Sequence, residues 1–409
     1  MTHLGTRPTT TPPPVVAPHR RFVALDVARA LAVTGMMAAH LVPLPPGVLS
    51  RVVSGFPSTL FAVLAGASAV LATRRHAGRP VAASVSLVAR GAAVAAVGAL
   101  LGLAPSGVMV VLVYLGVALA LGAVLVHLRT SVLAALAVLL TATGPFLTSA
   151  VRDARHVQSL GELSWESPAD WVTSVLFTGA YPVITWTVYV TTGIVLARTM
   201  VAAHRRDAEA GTRAASRTWA LRCALGGLVV TAAVAVVDAT YRTLVAVPAL
   251  AEQTGLDQQT VEQVLASPAF GASSGASWDS VLLATAHSGH VADVLLTASA
   301  AVAVTGALTL ALRHDGAHRA LRPLAWLGAV PLTVYVLHVL STWLWTSTAT
   351  PTVGGGSAVL AGSVAAAALL GWVLHRAGRR GPLEAAVSAA SSLATRGLLR
   401  GDPAARGRA

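Results

Sequence analysis

The chain has 409 residues, 55% of them hydrophobic and only 11% charged, and that is too little polar surface to cover a soluble globule, whose charged share is normally about 25%. All 29 basic side chains are arginine, which excludes lysine Schiff-base chemistry and Walker-type phosphate loops. The single cysteine, Cys223, excludes an intramolecular disulfide, a Cys-x-x-Cys redox site and a thiolate zinc cluster, while a formal charge of +13 would point to nucleic acid only if the arginines shared one surface.

Residues 1–18 are rich in Pro and Thr and read as a disordered tail, not a signal peptide, because a full apolar span follows without a small-residue cleavage site. A spanning helix needs roughly 20 mostly apolar residues. Ten segments qualify: 22–43, 54–73, 84–104, 108–127, 131–150, 175–197, 219–240, 292–312, 323–345 and 356–375. If the N-terminus lies inside, 24 of the 29 arginines fall on cytoplasmic segments, and only Arg51, Arg152, Arg155 and Arg242 lie outside, with Arg29 within the first span. The expected fold is therefore an all-α polytopic bundle of about ten spans with both termini cytoplasmic. Its membrane domain covers 19–380 and a cytoplasmic tail covers 381–409. The expected location is the plasma membrane, with the bilayer as partner and no nucleic acid. Two large outer loops cover 151–174 and 241–291; the second holds a surface-helix pattern, LDQQTVEQVLAS, and a GASSGAS stretch. In the tail, 383–400 reads either as a surface helix on the inner leaflet or as a solvated segment. Small-residue pairs such as Gly98 with Gly102 and Gly362 with Ala366 read as helix packing.

Ionisable groups within a span are expensive and default to function. The first span carries Asp26, Arg29 and His40. At 100° per residue the three fall within a wedge of roughly 60°, spread over about 21 Å of helix, so one polar stripe faces the protein interior. Asp26 and Arg29 pair near the cytoplasmic end, and His40 lies near the outer end. The alternative is a structural ion pair and a helix-to-helix hydrogen bond.

The pattern Leu25-Asp26-x-x-Arg29, ten residues and then His40 resembles the opening of multispanning membrane acyltransferases: the prokaryotic relatives of heparan-α-glucosaminide N-acetyltransferase and the YeiB-like membrane proteins. The Arg–His spacing is also similar to that of membrane O-acyltransferases acting on bacterial surface glycans. Further stretches agree: FPSTLFAVLAGAS in the second span, LFTGAYPVITWTVYVTTGIVLAR in the sixth, His287-Ser288-Gly289, and LAWLGAVPLTVYVLHVL in the ninth. Two departures stand beside them. The motif's usual Gly is Ala30, and no histidine matches the catalytic one of the human lysosomal member. The resemblance implies a helical fold, acyl-CoA (acetyl-CoA) as co-substrate, a glycan or glycolipid acceptor, and catalytic roles for His40, Arg29 and Asp26.

Other polar stripes supply candidate substrate contacts. The sixth span places Thr178, Tyr181, Thr185 and Tyr189 at steps of three and four, read as a cavity lining or as interhelical glue. In the ninth, Tyr335 and His338 form a similar stripe with Ser341 or Thr342. Before the eighth span, WDSVLLATAHSGHVAD supplies Asp279, His287, Ser288, His290 and Asp293, read as an outer mouth of the site. His287 and His290 lack an evident third metal ligand, so no metal is expected. Asp238 either orients a histidine or caps a helix. The leading function is transfer of an acyl group, acetyl above all, from acyl-CoA to a sugar hydroxyl or amine of an envelope glycan or glycolipid. A permease for a small polar or amphiphilic solute and a non-catalytic acyltransferase-like scaffold are the two other readings.

Overall fold

A computed structural model of the chain describes residues 22–45, 47–157, 161, 163–272, 280–349 and 352–400. Among them there is no strand. The order is α1 (Val23–Leu41), α2 (Val48–Thr73), α3 (Pro80–Leu101), α4 (Leu112–Leu125), α5 (Thr130–Ala154), α6 (Pro168–Thr173), α7 (Val183–Ala210), α8 (Ala214–Tyr241), α9 (Val247–Thr254), α10 (Gln258–Ala266), α11 (Val291–Ala311), α12 (Asp315–Ala320), α13 (Arg322–Leu327), α14 (Pro331–Thr348), α15 (Val353–Arg376) and α16 (Pro382–Arg400). The predicted tail at 1–18, Asp279 and most of the GASSGAS stretch lie outside the described residues.

Among the described residues, eight helices are long and apolar enough to cross a membrane, and the fold is an all-α polytopic bundle. The other two expected spans differ from the simple pattern. The fourth is α4, of only 14 residues, because Pro105 and Gly107 (φ 68°) hold the chain out of helix between Ala104 and Val110. The ninth breaks into α13 and α14 at Gly328–Val330, ahead of Pro331, which disfavours helix in the residue before it. The sixth breaks likewise: residues 174–178 form a π-helical turn, Gly179 to Pro182 are extended or bent, and α7 starts at Val183. The predicted stripe is therefore split, with Thr178 and Tyr181 ahead of the helix that carries Thr185 and Tyr189.

Burial sorts the bundle into an inner group and a shell. The most apolar stretches of α7 and α2 are 72% and 67% buried, against 11% for α8 and α15. α2 packs between α1 and α7, α8 pairs with α11, and α3 pairs with α4. Small residues permit these approaches. A methyl on Gly66 of α2 would strike the Val190 backbone of α7, and one on Gly193 of α7 would strike the Val63 backbone of α2. Gly98 contacts α4 as a packing residue should, whereas Gly362 faces open space.

The segment read as a tail is the helix α16, and it docks on α3. Val387, Ser391 and Thr395 are buried there, and the Ser86 and Ser391 hydroxyls hydrogen-bond at 2.7 Å. Glu384 at its start accepts the Leu332 and Thr333 amides of α14 at 2.7 and 3.1 Å, and the Thr333 hydroxyl at 2.6 Å. A carboxylate at a helix N-terminus meets both the unpaired amides and the positive end of the helix dipole. α16 and α14 are thereby locked together.

Candidate active site

The polar stripe of α1 faces inward. Asp26 is buried and accepts from Arg29 Nη1 at 2.5 Å, and Arg29 Nη2 donates to Ser68 Oγ of α2 at 2.9 Å. Gly328, in the break between α13 and α14, lies so close to the Asp26 carbonyl that no side chain would fit. These contacts tie α1, α2 and the ninth span at the arginine-rich end of the bundle.

Eleven residues further along, about 16 Å of helix rise, His40 meets α14. Its Nδ1 is 2.9 Å from His338 Nε2, and the two ring planes differ by only 2°. His338, itself buried, has Nδ1 3.4 Å from Thr342 Oγ1. If His40 carries its proton on Nδ1 and donates it to His338 Nε2, His338 in turn donates from Nδ1 to Thr342. His40 Nε2 is then left as a lone pair, and it has no hydrogen-bond partner among the described residues.

His40 borders a narrow cleft of about 20 Å³, room for about one water, lined also by Met36, Ala39, Val53, Ser54, Ser58, Met109, Val111, Tyr181, His287 and Tyr335. Polar groups thus reach it from α1, α2, the turn before α7, the loop before α11, and α14. Tyr181 forms the aromatic wall, with its ring edge-on to Tyr114, Trp186, Phe270 and His287, and its hydroxyl donating to the Met109 carbonyl at 3.2 Å.

The loop carrying His287 is held from several sides. His287 has φ 59° and Gly289 φ 71°. A non-glycine residue in the left-handed region is held there only by its surroundings. The Ala284 amide donates to Asp238 at 2.7 Å, and the Gly289 amide donates to Asp293 at 3.1 Å. The Ala269 and Gly271 amides donate to the Ala286 and His287 carbonyls. Asp238 also accepts from Arg242 at 3.1 Å and lies 3.6 Å from Arg51. Among the described residues it neither orients a histidine nor caps a helix; it anchors this loop. Outside the spanning helices, burial holds the His287 and His290 imidazoles down at about 4, so both are neutral at pH 7.

The predicted residues therefore divide. His40, Tyr181, His287, Tyr335 and His338 converge on one place. Ser288 and Thr185 stand behind it: Ser288 accepts the His290 amide at 3.2 Å, and Thr185 packs against Gly289. Tyr189 bonds to Thr297 of α11 at 3.0 Å, as interhelical glue. Thr178 gives its carbonyl to Arg152 at 2.8 Å, away from the cleft. Asp26 and Arg29 form a separate polar layer, since Val33 and Met36, both buried, occupy the intervening turns of the same α1 face. Ser54, Ser58 and Ser68 went unassigned in the sequence, although Ser58 and Ser68 lie in FPSTLFAVLAGAS. No group of three His, Cys, Asp or Glu among the described residues is arranged to hold a metal.

Residues 21–230, just over half of the chain, match the profile of the heparan-alpha-glucosaminide N-acetyltransferase catalytic domain. The chain belongs to this family. The matched stretch holds Asp26, Arg29, His40 and Tyr181, and ends before His287, Tyr335 and His338. No curated protein gives a significant match to the chain. With its apolar helices, family membership makes this a multi-pass membrane protein of an acetyltransferase family.

Proposed function

We propose that the protein transfers an acyl group, acetyl above all, from acyl-CoA to a sugar hydroxyl or amine of an envelope glycan or glycolipid, with His40 as general base. The observation that carries this reading is the His40–His338–Thr342 chain, which ends on an unpartnered His40 nitrogen at a polar cleft. The acceptor O–H or N–H gives its proton to His40 Nε2 as its oxygen or nitrogen bonds to the acyl carbon. The thioester C–S bond breaks, and the leaving thiolate is reprotonated from the imidazolium. His338 fixes the His40 ring and shares the positive charge that develops on it. Tyr181 and Tyr335 shape the wall that an acyl group and one sugar hydroxyl would meet as the cleft widens to admit them. The donor's bulk fits only outside so narrow a cleft. CoA reaching it from the arginine-rich end would need Met36, a flexible unbranched side chain, to swing aside. Arg29 lies about 16 Å of helix rise from His40, which leaves it the role of guiding a donor's arm rather than steadying charge at the reacting carbon.

The test is transfer of radiolabelled acetyl from acetyl-CoA to envelope sugars by the purified protein. His40→Ala is expected to lower kcat about 10²–10⁴-fold, and His338→Ala nearly as much. Equal transfer by wild type and His40→Ala would remove the base. Solute counterflow in proteoliposomes without any CoA dependence would support the permease reading instead.

A further inference from the structure

We propose that Arg75, Arg90 and Arg380 form a phosphate-binding site where the corner between α2 and α3 meets the start of α16. The three come from different places in the chain. Arg75 lies in the 3₁₀ turn that follows α2, Arg90 lies ten residues into α3, and Arg380 precedes α16. The docking of α16 brings them together. Ser86, one helical turn before Arg90 on α3, bonds to Ser391, and Arg380 Nη1 donates to Ser388 of the same helix at 2.6 Å. The guanidinium groups are close enough to repel one another: Arg75 feels Arg380, and Arg90 feels both. His76 beside them feels Arg75, Arg90 and Arg79.

No ion pair between these three arginines and a carboxylate is present among the described residues. Glu384, the acid closest in sequence to Arg380, spends both oxygens on α14. Arg90 is the decisive member. About 15 Å of helix separates it from the start of α3, and its buried Nε and Nη2 have no hydrogen-bond partner. A buried cation is tolerated when it is paired and hydrogen-bonded. This one is faced instead by two further cations, so the arrangement is complete only with an anion between them. Guanidinium forks match tetrahedral oxyanions. The exposed Arg75 and Arg380 form a rim, with half-buried Arg90 as the floor. A phosphate could come from an anionic lipid headgroup or from a soluble phosphate ester, and the inference stands apart from the acyl-transfer reading.

The experiment is thermal unfolding of the full-length protein in a phosphate-free maltoside detergent. One arm adds phosphatidylglycerol in mixed micelles and the other adds CoA. The midpoint of the wild type is expected to rise in at least one arm, and that arm names the source. Arg90→Gln should weaken the apparent affinity at least tenfold and Arg380→Gln several-fold, while Arg205→Gln, on an exposed face, should leave it unchanged. Without ligand, Arg90→Gln should unfold no earlier than wild type, because it removes an uncompensated charge. Three results would overturn the proposal: no stabilisation in either arm, equal stabilisation of wild type, Arg90→Gln and Arg380→Gln, or a lower ligand-free midpoint for Arg90→Gln. No stabilisation by CoA would count against the acyl-transfer reading as well, whereas the other two results bear on this site alone.

Discussion

Asp26 and Arg29 show what a buried pair demands. Asp26 is only 3% exposed and is paired with Arg29. Arg29→Gln is therefore expected to cost about 1–3 kcal/mol, and Asp26→Asn in the same chain should recover part of it, since removing one member of a buried pair leaves the other less well compensated. Thermal unfolding of the two single variants and the double variant measures the coupling. His287 and His290 make the opposite case, since each is kept neutral by burial near pKa 4 against an ordinary 6.5. The unfolded chain binds these protons first, so their contribution is full above pH 6.5 and is lost as pH falls from there toward 4. Amide exchange in residues 283–290, corrected for the intrinsic rate at each pH, should show falling protection across that window and constant protection from pH 7 to 8. Constant protection down to pH 4 would mean that the imidazoles are not buried neutral. At this scale the sequence was a fair guide. Asp26, Arg29 and His40 share the inner face of one helix, as 100° per residue requires. The bond from His40 to His338 was not legible, because nothing in one helix's periodicity says which residue of another stands opposite.

Helices were legible wherever a long apolar run met no proline. The misses lie at Gly179–Pro182, Gly328–Pro331 and Pro105–Gly107, where hydropathy continues but the backbone does not. Those interruptions do structural work: one brings Tyr181 to the cleft and another lets Gly328 touch Asp26. Hydropathy also says nothing about which glycines are packed. Gly193→Ala should lower the unfolding midpoint, at a cost of about 1–3 kcal/mol, because its methyl would meet the backbone of α2. Gly362→Ala, in open space on α15, should be neutral or raise stability by up to about 1 kcal/mol through helix propensity. Comparing the two midpoints separates contact from propensity. A midpoint for Gly193→Ala at or above wild type would contradict the close approach of α2 and α7. α16 was open in the sequence because its weak amphipathic pattern suits a lipid surface as well as a protein face; Ser86, Ser391 and Glu384 carry the difference.

Across the whole molecule, the arginine distribution sets an orientation that labelling can check. In a Cys223→Ser background, Gln253→Cys should react with an impermeant maleimide from outside intact cells, whereas Ala77→Cys should react only after permeabilisation. Both positions are exposed. The reverse pattern would invert the topology drawn from the positive-inside rule. The cleft gathers residues from both halves of the chain, so the family match over 21–230 covers only part of it. The pairing of His40 with a residue 298 positions later has a consequence for biogenesis. α1 has the lowest hydropathy of the eight candidate spans, 1.2, matched closely only by α7 at 1.3. It leaves the ribosome long before α14 is made. During that interval its imidazole and its ion pair must rest against lipid, other early helices or the insertion machinery, and the ionisable stripe of α1 reaches its final surroundings only when α14 arrives.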